Sequence, residues 1–110
     1  MLTPSLVQEI TQLHADFCSA LADSTRLLLL YALAERPRTV SELADELRLP
    51  QPTISRHLKI LRERSLVVAT RQGMSVEYAL ADERIVDALD LLRSIMRDRI
   101  QYQARLVAQP

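Results

Sequence analysis

Residues 49–62 read LPQPTISRHLKILR and predict a short helix with one apolar edge and one basic, polar edge. Ile54, Leu58 and Leu61 recur at the i, i+4, i+7 spacing of a stripe that faces a core. The opposite edge is formed by polar and basic residues and one proline: Gln51, Pro52, Ser55, Arg56, Lys59 and Arg62. Such an edge suits a helix that reads nucleic acid, and it equally suits a solvated face that happens to be basic. The helix alone does not decide between these two interpretations.

The composition of the chain bounds its fold class. It has 110 residues, of which 48% are hydrophobic, 4% are aromatic and one is glycine. These values favour a single domain over residues 1–110 with an aliphatic, mainly helical core, because turn-rich β folds use more glycine. The formal net charge is zero, which argues against a nonspecific polyanion binder. The basic side chains of residues 51–71 are nevertheless concentrated, so we expect one face to attract an anion.

Other features predict a cytoplasmic protein without a membrane partner. The lone cysteine, Cys18, excludes an internal disulfide framework and a self-contained cysteine-rich zinc site. No segment approaches the ~20 continuous apolar residues that a membrane span requires. Residues 1–5 lack the basic-then-apolar pattern of a secretion signal.

The segments before the basic helix predict a helix-turn-helix. Apolar periodicity indicates a helix over residues 5–21 and a second over residues 24–35, which Asp23 can cap. Thr39 and Glu42 have the spacing of a capping box, which starts a short third helix. A turn of about four residues then leads into the basic helix, and in this arrangement the second helix of the pair reads DNA.

The segment after the basic helix predicts a small β-hairpin. Residues 66–70 and 76–80 favour strands, and in the second segment Val76, Tyr78 and Leu80 alternate to one face. Residues 71–75 lie between them, and Gly73 stands where a hairpin tip needs a positive φ. Because a two-stranded hairpin is not stable alone, we expect it to lean on the helices as a "wing".

The last predicted helix, residues 82–103, is capped by Asp82. It carries more apolar surface than a small core can bury. One stripe runs along it at helical spacing: Ile85, Leu89, Leu92 and Met96. We interpret the first helix (5–21) and this last helix as terminal dimerisation helices, the alternative being that the last helix packs across its own domain. Residues 97–110 turn polar and are expected to fray.

Catalysis is poorly supported by the sequence. It has no glycine-rich phosphate loop, no carboxylate pair with an evident cleft and no nucleophile signature. We therefore expect no enzyme activity, no catalytic residue and no cofactor. His57 lies at the edge of the buried face, and we interpret it as a packed or helix-orienting histidine rather than a direct base contact.

His14 and Cys18 are the one pair of residues that could form an effector site, either by binding a metal or through reaction of the Cys18 thiol. They are four residues apart on a predicted helix and share a face. Two ligands are too few for a structural metal, but a symmetric dimer could unite two copies, or Cys18 could act as a thiol switch. The alternative, which we favour, is a small buried cysteine beside a boundary histidine.

The chain as a whole resembles the ArsR-type winged-helix repressors, small dimeric regulators that include the arsenic and metal sensors. The resemblance covers about residues 6–98 and is carried by these segments: 21–27, 40–44, 51–62, 65–67 and 71–80. It implies a mainly α winged helix-turn-helix of order α-α-α-α-β-β-α that dimerises through its first and last helices. It also implies a palindromic DNA operator and release of that operator when a small effector binds.

The chain departs from the residues by which members of this family bind metals. Soft-metal sensors have cysteines on the third helix, where residues 42–46 of this chain contain no thiol. Sensors with a site on the last helix have an acid, two histidines and an acid; here the corresponding residues are Asp82, Arg84, Ile95 and Asp98. Both familiar metal sites are absent, so the effector stays unknown. Ser65 also stands where the family has a helix-ending glycine, and Pro50 where a capping serine is common.

We predict a sequence-specific, dimeric DNA-binding transcriptional regulator that acts as a repressor and is released from DNA by an effector. The residues expected to contact base edges are Gln51, Thr53, Ser55 and Arg56. The residues expected to contact phosphates are Ser41, Lys59 and Arg62. Arg71 and Gln72 are expected to make a wing contact in the minor groove or on the backbone. Pro52 and His57 complete the predicted DNA-binding segment. The alternatives are a winged-helix module that binds another protein and a constitutive DNA binder without an effector.

Overall fold

The computed structural model describes residues 1–108 as five helices and a three-stranded antiparallel sheet, which confirms the predicted mainly helical fold with a hairpin. Helix α1 comprises Pro4–Leu13, a π-helical segment His14–Cys18 and a last turn Ser19–Leu21. The elements that follow are α2 (Ser24–Glu35), β1 (Arg38–Thr39), α3 (Val40–Leu47), α4 (Gln51–Glu63), β2 (Val67–Gln72), β3 (Ser75–Leu80) and α5 (Arg84–Ala108).

Side-chain caps set the starts of α2 and α3, as the sequence predicts. The Asp23 carboxylate accepts a hydrogen bond from the backbone N–H of Arg26 at 3.0 Å. The Thr39 hydroxyl accepts from the N–H of Glu42 at 3.2 Å, and the Glu42 carboxylate accepts from the N–H of Thr39 at 3.1 Å. Each cap stabilises its helix by about 1 kcal/mol, because it satisfies a donor that has no partner within the helix.

The core lies where α2, α3 and α4 meet the start of β2. Its largest fully buried side chains are Leu29, Leu30, Leu43, Ile54, Leu58, Leu61, Leu66 and Val67. Burying an aliphatic side chain of this size contributes roughly 1.5–3 kcal/mol. Helix α5 adds only Val86 and Leu89 to this cluster, so the core belongs mainly to the helix-turn-helix and its support.

Strand β1 was not predicted from the sequence. Arg38 pairs with Tyr78 and Thr39 with Glu77, which gives the sheet the order β1-β3-β2. A strand of two residues is too short to show an alternating pattern, and its pairing partner lies some forty positions along the chain. The strand brings the segment before α3 against the wing.

The hairpin is longer and its turn shorter than predicted. Arg71 pairs with Val76 and Gln72 with Ser75, so the strands run to within two residues of each other. Gly73 has φ +63°, as expected for a tip that needs a left-handed residue. Residues 71, 72 and 75, predicted as loop, therefore belong to the ladder, because backbone pairing continues where the β-branched residues end.

Helix α5 begins two residues later and ends later than predicted. Asp82 does cap it, since its carboxylate accepts from the backbone N–H of Arg84 at 2.9 Å, but the helix starts at Arg84. The expected fraying of residues 97–110 is wrong as far as Ala108, which is helical, and residues 109–110 lie outside the described part. Apolar residues continue along this end, among them Ile100 and Leu106.

Helices α1 and α5 leave their apolar faces uncovered within one protomer. No residue of Pro4–Leu13 is buried, so the stripe of α1 does not face the protomer's own core. The exposed apolar side chains of the two helices include Leu6, Ile10, Leu13, Phe17, Leu91, Leu92, Ile95, Met96 and Ile100. The last helix therefore does not simply pack across its own domain. No single helix of residues 1–108 could span a membrane, and only the bent pair Pro4–Leu21 with Ser24–Glu35 passes by length and composition.

Candidate nucleic-acid interface

The turn between α3 and α4 is built by residues 48–50. Arg48 ends α3 in the left-handed conformation, with φ 56° and ψ 46°. The N–H of Leu49 donates to the carbonyl of Ala44 at 3.1 Å, which closes the end of α3. Pro50 is extended. Pro52 lies in the first turn of α4, where a backbone N–H would have no hydrogen-bond partner within the helix. Two helices joined by so short a turn hold each other at a defined angle, as in a helix-turn-helix.

Helix α4 divides into a buried and an exposed edge along the predicted lines. Ile54, Leu58 and Leu61 are completely buried. The exposed edge carries six residues: Gln51, Pro52, Ser55, Arg56, Lys59 and Arg62. Thr53 is partly buried beside them. The helix is thus held by one side and presents amide, hydroxyl and cationic groups on the other.

The cations of this exposed edge are uncompensated within residues 1–108. The Arg56 guanidinium contacts only the Thr53 hydroxyl, at 3.4 Å, and no carboxylate there pairs with Arg56, Lys59 or Arg62. Arg64, just beyond the helix, differs because it pairs with Asp16 of α1 at 3.6 Å. An edge of free cations attracts phosphate, and the planar fork of an arginine also matches the acceptors of guanine.

The remaining predicted DNA contacts lie on two other elements. Ser41 is exposed in the first turn of α3, where backbone N–H groups favour an anion. Hydrogen bonds from the Thr39 backbone and from Arg36 lower the pKa of Glu42 in the same turn, so this carboxylate stays ionised. Arg71 and Gln72 are exposed at the end of β2, beside the hairpin turn.

His57 turns away from the exposed edge of α4 and towards the start of α2. Its Nδ1 lies 3.3 Å from Nη1 of Arg26 and 4.0 Å from the Asp23 carboxylate, and its side chain is 20% exposed. This placement matches its interpretation as a packed or orienting histidine.

Arg26 contributes to the site in a way that sequence reasoning missed. Its Nε donates to the carbonyl of Ala20 at 2.6 Å, which joins the end of α1 to α2. Its backbone N–H is the main cause that lowers the pKa of Asp23. The available signal was an arginine three residues after a capping aspartate on a largely buried helix, but that pattern does not say which carbonyls it meets.

Arg38 is a second residue that the sequence did not single out. It is the one buried charged side chain of residues 1–108, and it pairs with Glu35 of α2 at 2.5 Å and with Glu46 of α3. The two ion pairs fasten the first helix of the helix-turn-helix to the domain. Its neighbours in sequence, Arg36 and Pro37, resemble an ordinary polar connection, so no local pattern reveals its burial.

His14 and Cys18 both lie in the π-helical segment of α1 and both are exposed in the protomer. The favoured interpretation of Cys18 as a small buried residue is therefore wrong for a single protomer. Residues 1–108 contain no group of three or more potential metal ligands, counting His, Cys, Asp and Glu. The pair remains a predicted effector site and not an assembled one.

A polar cluster joins α2 to α5 on another side of the molecule. The predicted pair of Asp90 and Arg93 is present at 3.3 Å. The Tyr31 hydroxyl donates to Asp90 at 2.6 Å, and the Arg93 guanidinium lies 5.1 Å from the centre of the Tyr31 ring. Burial, and then the bond to Asp90, raise the pKa of Tyr31. These contacts support the packing of α5 rather than the exposed edge of α4.

Comparison with known proteins adds to this geometry. A family model described as "Bacterial regulatory protein, arsR family" matches residues 23–68, from the cap of α2 into β2. The HTH-type transcriptional repressor SmtB of Mycobacterium tuberculosis is 40% identical over 78 residues, which are 71% of this chain and 58% of the repressor. The chain thus spans somewhat more than half the length of that curated relative.

Two further proteins match over most of their length. The uncharacterised HTH-type transcriptional regulator MJ1325 of Methanocaldococcus jannaschii is 39% identical over 79 residues, 71% of this chain and 89% of the regulator. A homodimeric winged helix-turn-helix DNA-binding domain from Mycobacterium bovis superposes with a TM-score of 0.79 at 26% identity, covering 92% of this chain and 93% of that domain. Both the predicted fold class and the predicted resemblance are confirmed.

Proposed function

This chain belongs to the ArsR family of bacterial regulatory proteins, and from that premise we propose that it is a homodimeric repressor that binds a palindromic operator in the cytoplasm. The family is one of transcription regulators rather than enzymes. The observation that carries the proposal is the exposed edge of α4, which combines base-reading groups with uncompensated cations.

Each part of the exposed surface has a separate task in this proposal. Base edges in the major groove are read by the first half of α4, through Gln51, Thr53, Ser55 and Arg56. Phosphates are held by Ser41, Lys59 and Arg62, because single cations and hydroxyls fix register without reading sequence. Arg71 and Gln72 place the wing on the backbone or in the minor groove. Pro52 starts α4 close to the duplex. His57 lies on the side of α4 that faces α2 and helps to orient the helix.

The palindrome follows from the dimer. In the proposed assembly the apolar faces of α1 and α5 cover each other across a two-fold axis, as their exposure in one protomer supports. Two copies of α4 then lie about 34 Å apart, one turn of DNA. A dyad-symmetric operator with half-sites of that spacing is the expected target.

Release of the operator is proposed to depend on an effector that acts near the dimer seam. The residues by which metal-sensing relatives of this family bind metals are missing here, at residues 42–46 and at Arg84 and Ile95. His14 and Cys18 lie together in the π-helical segment of α1, one of the two helices of the proposed seam. A test compares operator affinity of reduced protein, oxidised protein and Cys18→Ser, each with and without thiophilic metals; no change in any arm would exclude the thiol sensor.

The experiment that tests the function is an operator selection from a random duplex library with the purified full chain. We expect enrichment of one palindrome whose half-site centres lie about 10–10.5 bp apart, or a multiple of this. A library that shows no enrichment would contradict the proposal and favour a module whose basic face binds an acidic protein. Enrichment of a single asymmetric half-site would contradict the dimer.

A further inference from the structure

Arg26 connects three helices through polar contacts of its side chain. Its side chain is 13% exposed. It donates from Nε to the Ala20 carbonyl at 2.6 Å and, over a longer 3.5 Å, from Nη2 to the Ser19 carbonyl, both at the end of α1. Its Nη1 meets Nδ1 of His57 at 3.3 Å, on α4. One guanidinium thus joins α1 and α4 to its own helix α2.

The chemistry of the two side chains fixes which way the bond between them runs. An arginine has five donors, no acceptor and a charge at every physiological pH. The Nδ1 of His57 must therefore accept, which requires a neutral ring that carries its proton on Nε2.

The carbonyls that Arg26 binds are ones that α1 leaves without a helical partner. A helix ends with acceptors that no later N–H of the same helix can reach. The backbone of Ala22 leaves the helical conformation, with ψ 45°, so the chain turns sharply after Leu21. A second tie lies close by, where Arg64 beyond the end of α4 pairs with Asp16 in the π-helical segment. The end of α1 is thus fastened to α4 at two points.

We propose that Arg26 and His57 are positioning residues that fix the rotation of α4 relative to α1, the helix of the dimer seam. The inference rests on the proposed function, because it explains how the seam sets the pose of the reading helix. A rotation of α4 by about 20° moves side chains that lie about 6 Å from its axis by about 2 Å. Such a shift breaks hydrogen bonds to base edges, whose useful range is about 0.5 Å.

Loss of the Arg26–His57 bond should therefore affect base reading more than phosphate binding. Base contacts need a fixed direction, whereas the long side chains of Lys59 and Arg62 can follow a phosphate through a small rotation. The quantity to measure is the ratio of affinities for the selected operator and for a scrambled duplex of equal length, at one salt concentration.

Four variants make this measurement specific. His57→Leu keeps the volume and removes the acceptor, His57→Asn keeps an oxygen acceptor near the place of Nδ1, and Arg26→Gln removes the donor fork. Arg84→Gln is the control, because Arg84 is exposed, pairs with Asp82 and belongs neither to the exposed edge of α4 nor to the contacts of Arg26. Combining Arg26→Gln with His57→Leu tests whether the two act as one unit.

We expect His57→Leu and Arg26→Gln each to lower the affinity ratio about tenfold or more, the size typical of coupled neighbours. Affinity for the scrambled duplex should stay within about twofold of the parent. His57→Asn should recover most of the ratio, Arg84→Gln should leave it unchanged, and the double variant should lose no more than the worse single variant.

Two results would overturn the inference while leaving the proposed function intact. One is that the parent selects its operator and both His57 variants keep the parental ratio of affinities for the operator and the scrambled duplex. The other is an equal loss on both duplexes with loss of the folded dimer, which would show a merely structural role. If Arg26→Gln does not fold, the comparison of His57→Leu with His57→Asn decides. A parent that does not discriminate the two duplexes would overturn the proposed function as well.

Discussion

Arg48, Ser65 and Gly73 hold the backbone in the left-handed region, with φ of 56°, 62° and 63°. Each lies at a sharp change of direction: the turn of the helix-turn-helix, the end of α4 and the tip of the wing. An L-residue in this region costs about 1–2 kcal/mol relative to a right-handed one, whereas glycine does not bear that cost. Ser65 follows the cap of α4, and the N–H of Leu66 reaches back to the Leu61 carbonyl at 2.9 Å. This is the helix-ending geometry for which glycine is preferred.

We therefore predict that Ser65→Gly stabilises the fold by roughly 0.5–1 kcal/mol. Gly73→Ala, its converse, should destabilise by about 1 kcal/mol, purely through backbone strain, because an added Cβ would meet no atom within 4 Å. Urea unfolding at a fixed protomer concentration measures both changes. A less stable Ser65→Gly would contradict the assigned backbone of Ser65.

Asp82 provides a test of local electrostatics. Side-chain hydrogen bonds from Arg84, at 2.7–3.2 Å, and then its backbone N–H lower the pKa of Asp82 from 3.8 to about 2. Because the folded pKa is depressed, the stabilising contribution is present above pH 3.8 and is lost as the pH falls towards 2. We predict that an NMR titration finds Asp82 near 2 in the parent and clearly higher in Arg84→Gln. A parental value near 3.8 would mean that the pair does not form in solution.

At the scale of the element, α4 combines two kinds of contact that mutation can separate. Arg56→Ala should cost roughly 1–3 kcal/mol of operator binding and relax the preference for one base. Lys59→Ala should weaken binding to all duplexes alike and lower the slope of log affinity against log salt by about one. Binding isotherms over a range of salt concentrations, with Arg84→Gln as the control, measure both effects. If both variants bound every duplex like the parent, α4 would not be the reading helix.

The helices could be predicted because their signals are local. Caps such as Asp23 and Thr39 and the stripe of Ile54, Leu58 and Leu61 lie within a few turns of the residues they organise. Strand β1 and the π-helical segment of α1 have no such signal, since the first depends on a distant partner and the second changes the hydrogen-bond register without changing the apolar pattern.

The exposed edge of α4 could be predicted from the sequence, whereas the buried polar contacts that hold the helix-turn-helix in place could not. Exposure of Arg56 and Lys59 follows from helical periodicity alone, and the structure agrees. The partners of Arg26 and Arg38 depend on how three helices meet, which a pattern along one helix cannot encode. Cys18 shows the same limit, because its apolar neighbours suggested burial that one protomer does not provide.

At the scale of the whole molecule, the protomer is more extended than a compact domain of the same number of residues. Its radius of gyration is 17.4 Å, against about 13 Å for a compact domain of this size. The excess comes from α1 and α5, whose apolar faces lie in solvent in a lone protomer. The extended form suits a chain completed by a partner protomer, as in the homodimeric domain with which it superposes.

We predict that Ile95→Glu, at an exposed apolar position of α5, converts the dimer to a monomer. A carboxylate in a seam of apolar side chains loses its hydration without gaining a partner. Sedimentation should then report half the parental mass, and operator affinity should fall by about 10² or more, because each monomer binds its half-site alone. Val68→Glu, at an exposed apolar position of β2, is the matched control and should stay dimeric. A dimeric Ile95→Glu would place the seam elsewhere.

The most direct test of the proposed function is the affinity of the parent protein for the proposed palindrome, obtained by operator selection, relative to a scrambled duplex of equal length, at physiological salt. If the exposed edge of α4 reads base sequence, the palindrome should bind at least about 10³ times more tightly. Equal affinity for the two duplexes would contradict the account, because a basic edge that only neutralises phosphates cannot distinguish them.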